Sequence, residues 1–257
     1  AEVYLAMVEE ASPLLIGRSR ATHLDRIKTD HDNVRAAMRR SIEQADTPTA
    51  LRLLAAMWRF WQMRGHLHEA RRYVDRVFAL PDVDAHPVEH ADALEAAGGL
   101  CYWMADLVSS RTFYERALDI HRSREDAVSV VRGLYNVAFA YGLQDPPHAQ
   151  AAFREVLAAS EELGDELAIA RAHWGLSVGA MWAGDWDAIV AESDLAIPVF
   201  RAHHATFDLA WALHMKGLGE HASGHDEEAR ALFDECLDMF FEADDATGLY
   251  LVLADFA

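Results

Sequence analysis

Positive charge is scarce in this chain. Its 257 residues carry 23 Lys and Arg against 42 Asp and Glu, a formal net charge of −19. Proteins grip a phosphate backbone through cation contacts and counterion release, so a chain this acidic is repelled overall, and direct nucleic-acid binding is not expected. Cysteine is almost missing: only Cys101 and Cys236 occur. Each lies in a helical pattern, and the pair reads as reduced core residues of a cytoplasmic protein rather than as a disulfide. No run of about 18 apolar residues is present, which excludes a helical membrane span. No basic-then-apolar leader is read at the start. Pro and Gly number 7 and 14 and fall mainly between segments in which apolar residues recur at three and four. Strand-like alternation is nearly absent. The chain is therefore all-α, and at 52% hydrophobic it can build one large core or two ordinary ones.

What is present is repetition. Trp58 and Trp61 precede Gly65, and Leu67, Ala70, Val74, Val77 and Phe78 follow. Forty residues on, Gly98 and Cys101 precede Ala105, with Ser110, Tyr114, Ala117 and Leu118 behind it. Ala138 and Tyr141 lead into the turn Asp145-Pro146-Pro147, then Ala149, Phe153, Val156 and Leu157. Ser177 and Ala180 precede Gly184, followed by Ile189, Ser193 and Ala196. The last full unit runs Gly217, Gly224, Ala229, Phe233, Cys236, Leu237. Turns at 65, 105, about 145, 184 and 224 give a period of about 40, the mark of stacked helical hairpins, none of which can bury its apolar face alone. Small residue, turn glycine, alanine and aromatic follow in the order of the tetratricopeptide repeat, which this pattern resembles. That resemblance implies a right-handed superhelix of antiparallel hairpins: lead-in helices over 1–46, then five full hairpins and a truncated sixth over 47–257. Leu249, Tyr250, Leu251, Val252, Leu253 and Phe256 are expected to lie uncapped on the truncated helix and to favour self-association.

Local signals refine this picture. Thr47-Pro48 reads as an N-cap with proline at the first helical position, and Ser123 with Asp126 as a capping-box-like start. Pro198 lacks an amide proton and is expected to end or kink its helix near Ile197. In "WRFWQMRGHLHEARRYVDRVFAL", Leu54, Met57, Trp58 and Trp61 share core spacing, so the tryptophans read as scaffold. Arg71, Arg72 and Arg76 read as a solvated face. Lys216 and Glu220 sit awkwardly if Gly217 faces the core, and Trp211, Met215, Leu218 and Ala222 form an alternative buried stripe.

Residues 4 to 80 carry a more specific resemblance. Leu24-Asp25-Arg26, Asp32-Asn33-Val34-Arg35-Ala36-Ala37 and Gly65-His66-Leu67 are similar to the segment that follows the ATPase core in bacterial LuxR-type and AfsR-type regulators, signal-transduction ATPases with a tetratricopeptide-like C-terminal region. The resemblance implies a sensor and interaction arm that restrains or releases a nucleotide-driven transcriptional switch. The ATPase or DNA-binding parts of the same full-length chain are then candidate partners. No G-x-x-x-x-G-K-[ST] loop and no helix-turn-helix is found here, and the chain reads as a portion of a longer protein.

Signals for chemistry are weak. "GLSVG" at 175–179 satisfies G-x-S-x-G, but that elbow needs a strand, a sharp turn and a helix, and Ser177 falls mid-helix where hairpins touch. Of the 14 histidines, His214, His221 and His225 come closest to a shared register, yet a zinc site needs three or four converging ligands; they read as scattered surface residues. "EELGDE" at 161–166 reads as a solvated connection. No cofactor is expected. An enzyme with dispersed residues stays open beside a binding module.

The candidate site follows from helical geometry. First helices of tetratricopeptide hairpins line the ligand-binding side, and stepping one position past each core residue selects the exposed set. This gives Arg52, Arg59, Gln62 and Met63, then Glu95, Tyr102 and Trp103. Arg132, Tyr135, Asn136 and Phe139 come from the third hairpin, and Arg171, Trp174, Met181 and Trp182 from the fourth. Arginines among aromatics suit a protein or peptide segment, or an acidic small-molecule effector, because guanidinium pairs bidentately with carboxylate and stacks on rings. Replacing Arg132 and Arg171 by Glu is expected, on sequence grounds, to remove binding at nearly unchanged melting temperature.

Overall fold

Nine helix starts among the described residues share one construction. The amide of residue 46, 66, 106, 126, 165, 185, 205, 225 or 245 donates to the carbonyl five residues back, at 2.8–3.3 Å. Where the preceding residue is described it has positive φ: Ala45, Gly65, Ala105, Glu125, Gly164, Gly184, His204 and Gly224. This is the Schellman stop, in which a left-handed residue lets a later amide reach back to an orphan carbonyl. The residue that closes one helix then caps the next. Asp46, Asp106, Asp126, Asp165, Asp185 and Asp245 each accept from the amide three residues on, at 3.1–3.4 Å. Asp145 does the same after a 3-10 turn at Gly142–Gln144. The caps correct two expectations. Thr47 lies inside its helix behind Asp46, and Ser123 ends the preceding helix while Asp126 alone caps the next.

The computed structural model describes residues 1–16, 20–243 and 245–255. They form α1 (Glu2–Ala11), a 3-10 turn (Ser12–Ile16), α2 (Arg20–Thr29), α3 (His31–Glu43), α4 (Thr47–Met63), α5 (Leu67–Val77), α6 (Pro87–Trp103) and α7 (Leu107–Ser123). Then come α8 (Ala127–Tyr141), α9 (Pro146–Leu163), α10 (Glu166–Ala183), α11 (Trp186–Ala202), α12 (Thr206–Ala222), α13 (Asp226–Glu242) and α14 (Ala246–Asp255). No strand occurs among the described residues. The fold is all-α, with the expected helical pairs α4/α5 through α12/α13 in chain order. Two compact units, Ala1–Gly133 and Leu134–Ala257, divide the chain within α8, a division that the repeat pattern does not announce.

In the first unit, Leu51, Leu54, Met57, Phe60 and Trp61 of α4 are fully buried against α1, α3, α5 and α6. Trp61 stacks on Tyr73 at 5.8 Å, and Trp58 packs beside Gly99, where a Cβ would come within 2.7 Å of its ring. In the second unit, Phe153, Phe200, Phe233 and Phe240 carry the core. Gly175 and Gly217 receive two of these rings; a Cβ would sit 2.4 Å from Phe153 and 2.6 Å from Phe233. Gly217 thus faces the core as aligned, and α12 buries residues on all sides. Lys216 and Glu220 fit because each reaches a partner, Asp194 and His225 respectively.

Three further expectations change. α11 runs through Pro198 to Ala202. Pro198 and Asp194 are exposed, so the carbonyl that loses its amide partner faces water, while buried Ala196 and Phe200 hold the helix in place. Arg71 is half-buried rather than solvated, donating to Cys101 Sγ at 3.0 Å and facing Asp75 and Asp106. On α14, Val252 is buried and Leu249 half-buried, leaving Tyr250, Leu251 and Leu253 exposed; Phe256 lies outside the described residues. "EELGDE" is exposed throughout, with Gly164 as its left-handed stop.

The stops yield a test. Ala105 has φ of 59°, a region that costs an L-residue about 1 kcal/mol more than glycine. Ala105→Gly is expected to raise stability by about 0.5–1 kcal/mol, read by urea unfolding. Gly184→Ala is expected to lower it similarly, since its φ is 73° and nothing lies within 4 Å of an added Cβ.

Candidate functional site on the first-helix faces

The first helix of each pair is rich in small and apolar residues, and several of the charged ones are held by neighbouring helices. In the first unit, Arg52 of α4 forks onto Glu9 of α1, with both bonds at 2.7 Å. The Glu9 hydrogen bond raises the guanidinium pKa further above its ordinary value. Arg59 lies over the Trp58 ring at 3.9 Å, in cation–π contact. Arg132 Nε donates to both oxygens of Glu95 at 3.1 and 2.9 Å, and Nη2 faces Asp92 at 3.7 Å. Glu95 also accepts from Nε2 of His121, a fully buried side chain of α7, at 2.9 Å. Tyr102 is half-buried and Trp103 exposed, their rings edge-to-face at 6.3 Å. Burial raises the Tyr102 phenol. Gln62 and Met63, at the end of α4, are half-buried.

In the second unit the face is aromatic. Tyr135 and Phe139 of α8 meet at 4.9 Å, and Trp174 of α10 lies 6.3 Å from Tyr135 and 5.4 Å from Phe139. Trp182 adds an edge-to-face contact with Phe139 at 6.1 Å. All four are half-buried, as is Met181. They rest on Phe153, which touches Tyr135, Phe139 and Trp182 from below the surface. Arg171 donates to both oxygens of Asp208 on α12, at 3.2 and 2.9 Å, and that bond raises its pKa against the opposing effect of burial. Asn136 is half-buried, with no hydrogen-bond partner among the described residues.

The arginines expected to recruit an anion are thus already engaged: Arg52, Arg132 and Arg171 by a carboxylate from a neighbouring helix, and Arg59 by the Trp58 ring. Glu95 was among the expected residues, but the other acids, Glu9 and Asp208, were the missed part of the site. Glu95 and Arg132, Arg171 and Asp208, and Glu166 and His203 are all 37 residues apart. Opposite charges recurring just short of the 40-residue period were the available signal. This pairing reverses the expected melting behaviour of the Arg132→Glu, Arg171→Glu variant. Each new carboxylate would oppose Glu95 or Asp208. With the arginines about half exposed, the loss is about 1 kcal/mol at each site, a combined fall in Tm of about 4–8 °C, measurable by circular dichroism.

Ser177 is fully buried mid-helix and donates to the Trp174 carbonyl at 2.7 Å. His221 and His225 pair with Asp226 and Glu220 at the surface. His214, expected at the surface, is buried and bonds Asp255 at 2.8 Å. Cys101 and Cys236 are buried free thiols, and burial pushes Cys236 up to about 12. An open depression at the helix turns is lined by Gly184, Asp185, Trp186, Asp187, Ala222 and Ser223. No helix of the described residues is long and apolar enough to cross a membrane.

No protein-family model and no curated protein sequence matches the chain. Solved structures do. A Rap protein complexed with competence and sporulation factor is 14% identical with a TM-score of 0.64, covering 98% of this chain and 80% of its own. Aspartyl phosphate phosphatase F from Bacillus subtilis is 12% identical, TM-score 0.64, covering 97% and 78%. A kinesin-light-chain array of nearly identical tetratricopeptide-like repeats from Podosopora anserina is 14% identical, TM-score 0.54, covering 77% and 99%. At such identities the likeness is one of fold. The chain has a tetratricopeptide-like helical-repeat fold.

Proposed function

We propose that the chain is a non-catalytic interaction module that takes a peptide or protein segment on its first-helix faces, and that it serves as the sensor arm of a larger bacterial transcriptional regulator. The observation that carries the binding reading is the wall made by Tyr135, Phe139, Trp174 and Trp182, with Asn136, whose amide has no partner among the described residues, next to Tyr135 on α8. A carboxamide offers one acceptor and two donors, which match the backbone of an extended segment, while the rings supply apolar area. A similar fold in the complex of a Rap protein with competence and sporulation factor supports a binding role. The regulator reading rests on the resemblance of residues 4 to 80, and the remainder of that full-length chain is the first partner to test.

Selection of a displayed library of short random peptides on the immobilised chain tests the binding reading. Asn136→Ala removes only an unpartnered amide, so its melting temperature is expected to stay unchanged. Affinity for the selected peptides is expected to fall about tenfold, the loss of one or two hydrogen bonds. Failure to enrich any peptide, or equal binding by Asn136→Ala, counts against the proposal.

A further inference from the structure

The acidity of the chain is not shared evenly. Residues 1–133 hold 20 Asp and Glu against 18 Lys and Arg, a net −2, whereas residues 134–257 hold 22 against 5, a net −17. Nearly all of the excess therefore belongs to the unit that carries the aromatic wall. Its few cations do little to offset the field around them. Arg171 is bound to Asp208, Arg201 to Glu235 and Lys216 to Asp194, while Arg154 donates to Gln150. Acids are exposed along α13, at Asp226, Glu227, Glu228, Asp234, Asp238 and Glu242.

A net charge of this size on a small unit sets a negative potential over its whole surface, attracting cations and repelling anions within a Debye length or more. The aromatic wall lies inside that field. Ring faces carry negative quadrupole charge and bind guanidinium and ammonium groups, so field and wall select the same ligand charge. Arg171, three residues before Trp174 on α10, is no counterweight, because Asp208 already pairs with it. The chemistry opposes the anionic partner that the arginine count alone suggests.

We infer that the aromatic face of the second unit, Tyr135, Phe139, Trp174 and Trp182, docks a cationic peptide segment, with arginine or lysine side chains laid over the rings. This rests on the reading of that face as a peptide site. Peptides from the library selection are the probe. They are expected to be enriched in Arg and Lys, and to lose about tenfold in affinity when those residues are replaced by Gln. Binding is also expected to weaken steeply as NaCl is raised, because screening shortens the field. Trp174→Phe and Asn136→Ala are expected to weaken binding, and Glu227→Gln with Glu228→Gln on α13 to leave it within about twofold. Selected peptides that are neutral or acidic, yet still depend on Asn136, overturn the charge inference and leave the peptide site standing. Basic peptides indifferent to Trp174 and Asn136 but sensitive to the α13 pair overturn the choice of surface. Failure to enrich any peptide removes both.

Discussion

Gly175→Val is expected to lower stability by about 2–3 kcal/mol, a fall in Tm of about 5–10 °C for a chain of this size. Gly175 sits in the middle of α10, where helical propensity alone favours almost any other residue by up to about 1 kcal/mol. Packing reverses that preference. An added Cβ would lie 2.4 Å from two atoms of the Phe153 ring, and Phe153 is itself fully buried. The ring cannot swing away freely, since Tyr135, Phe139 and Trp182 press on it. Gly175→Ala is therefore expected to come out near neutral or slightly destabilising, propensity gain against overpacking, whereas Val adds two more methyl groups and gains little propensity. A double variant separates the terms. In a Phe153→Leu background, where the ring is gone, Gly175→Ala is expected to become stabilising. Urea unfolding of the four chains gives the coupling directly. Because Phe153 supports the aromatic wall, the Val variant is also expected to bind selected peptides more weakly than its stability loss explains.

The same glycine shows how far the sequence could be read. The period of about 40, the turns at Gly65, Ala105, Gly184 and Gly224, and the core placement of Trp61, Ala70, Phe153 and Phe233 were legible, because apolar spacing and left-handed turns are local signals. Gly175 was not separated from its neighbour Ser177. Choosing between two small residues on adjacent faces requires knowing which ring arrives from another helix. The caps were missed for a different reason. Asp46, Asp106, Asp126, Asp145, Asp165, Asp185 and Asp245 recur at 20-residue steps or multiples of them, give or take one. They start α4, α7 through α11 and α14, but acid positions were not followed as a repeat. Candidate ring and arginine positions came from helical geometry, which gives the side of a helix and not the partner across it. Glu9 and Asp208, which hold Arg52 and Arg171, therefore escaped notice, and so did the burial of His214 against Asp255.

Arg35→Ala is expected to cost about 2 kcal/mol and to loosen α3 from the first hairpin. Arg35 lies in the stretch Asp32 to Ala37, and Glu69 follows Gly65-His66-Leu67, so two of the segments on which the proposed regulator reading rests meet here. Arg35 Nε donates to Glu69 Oε1 at 2.7 Å, and Nη2 closes the fork. The Glu69 side chain is only 13% exposed, so removing the guanidinium strands a carboxylate away from water. His31 completes the clasp. Its ring packs 4.9 Å from Phe60 and 5.0 Å from His66, and Nε2 faces Glu69 at 3.8 Å. Burial pushes the His31 pKa below its ordinary 6.5, helped by Arg35 and His66 and resisted by Glu69 and Asp32. Burial alone would raise Glu69, but the Arg35 hydrogen bonds and charge outweigh it and hold the carboxyl below its ordinary 4.5. Both shifts have the same sign for stability. The unfolded chain binds these protons more readily than the folded one, so their contribution is complete above the ordinary values and declines as pH falls. The His31 part is lost first, below about pH 6.5, and the Glu69 part below about pH 4.5. Hydrogen exchange of the α3 amides, corrected for intrinsic rates, should therefore quicken between pH 7 and 5. His31→Phe keeps a ring against Phe60 without the proton, and in that variant α3 protection is expected to stay level over the interval. His90 and His214 are also lowered by burial, so a global melt would mix their contributions, and the local readout is the decisive one. If α3 protection in the unaltered chain does not change between pH 7 and 5, the clasp is not acid-sensitive. If Arg35→Ala leaves that protection intact, the fork does not hold α3.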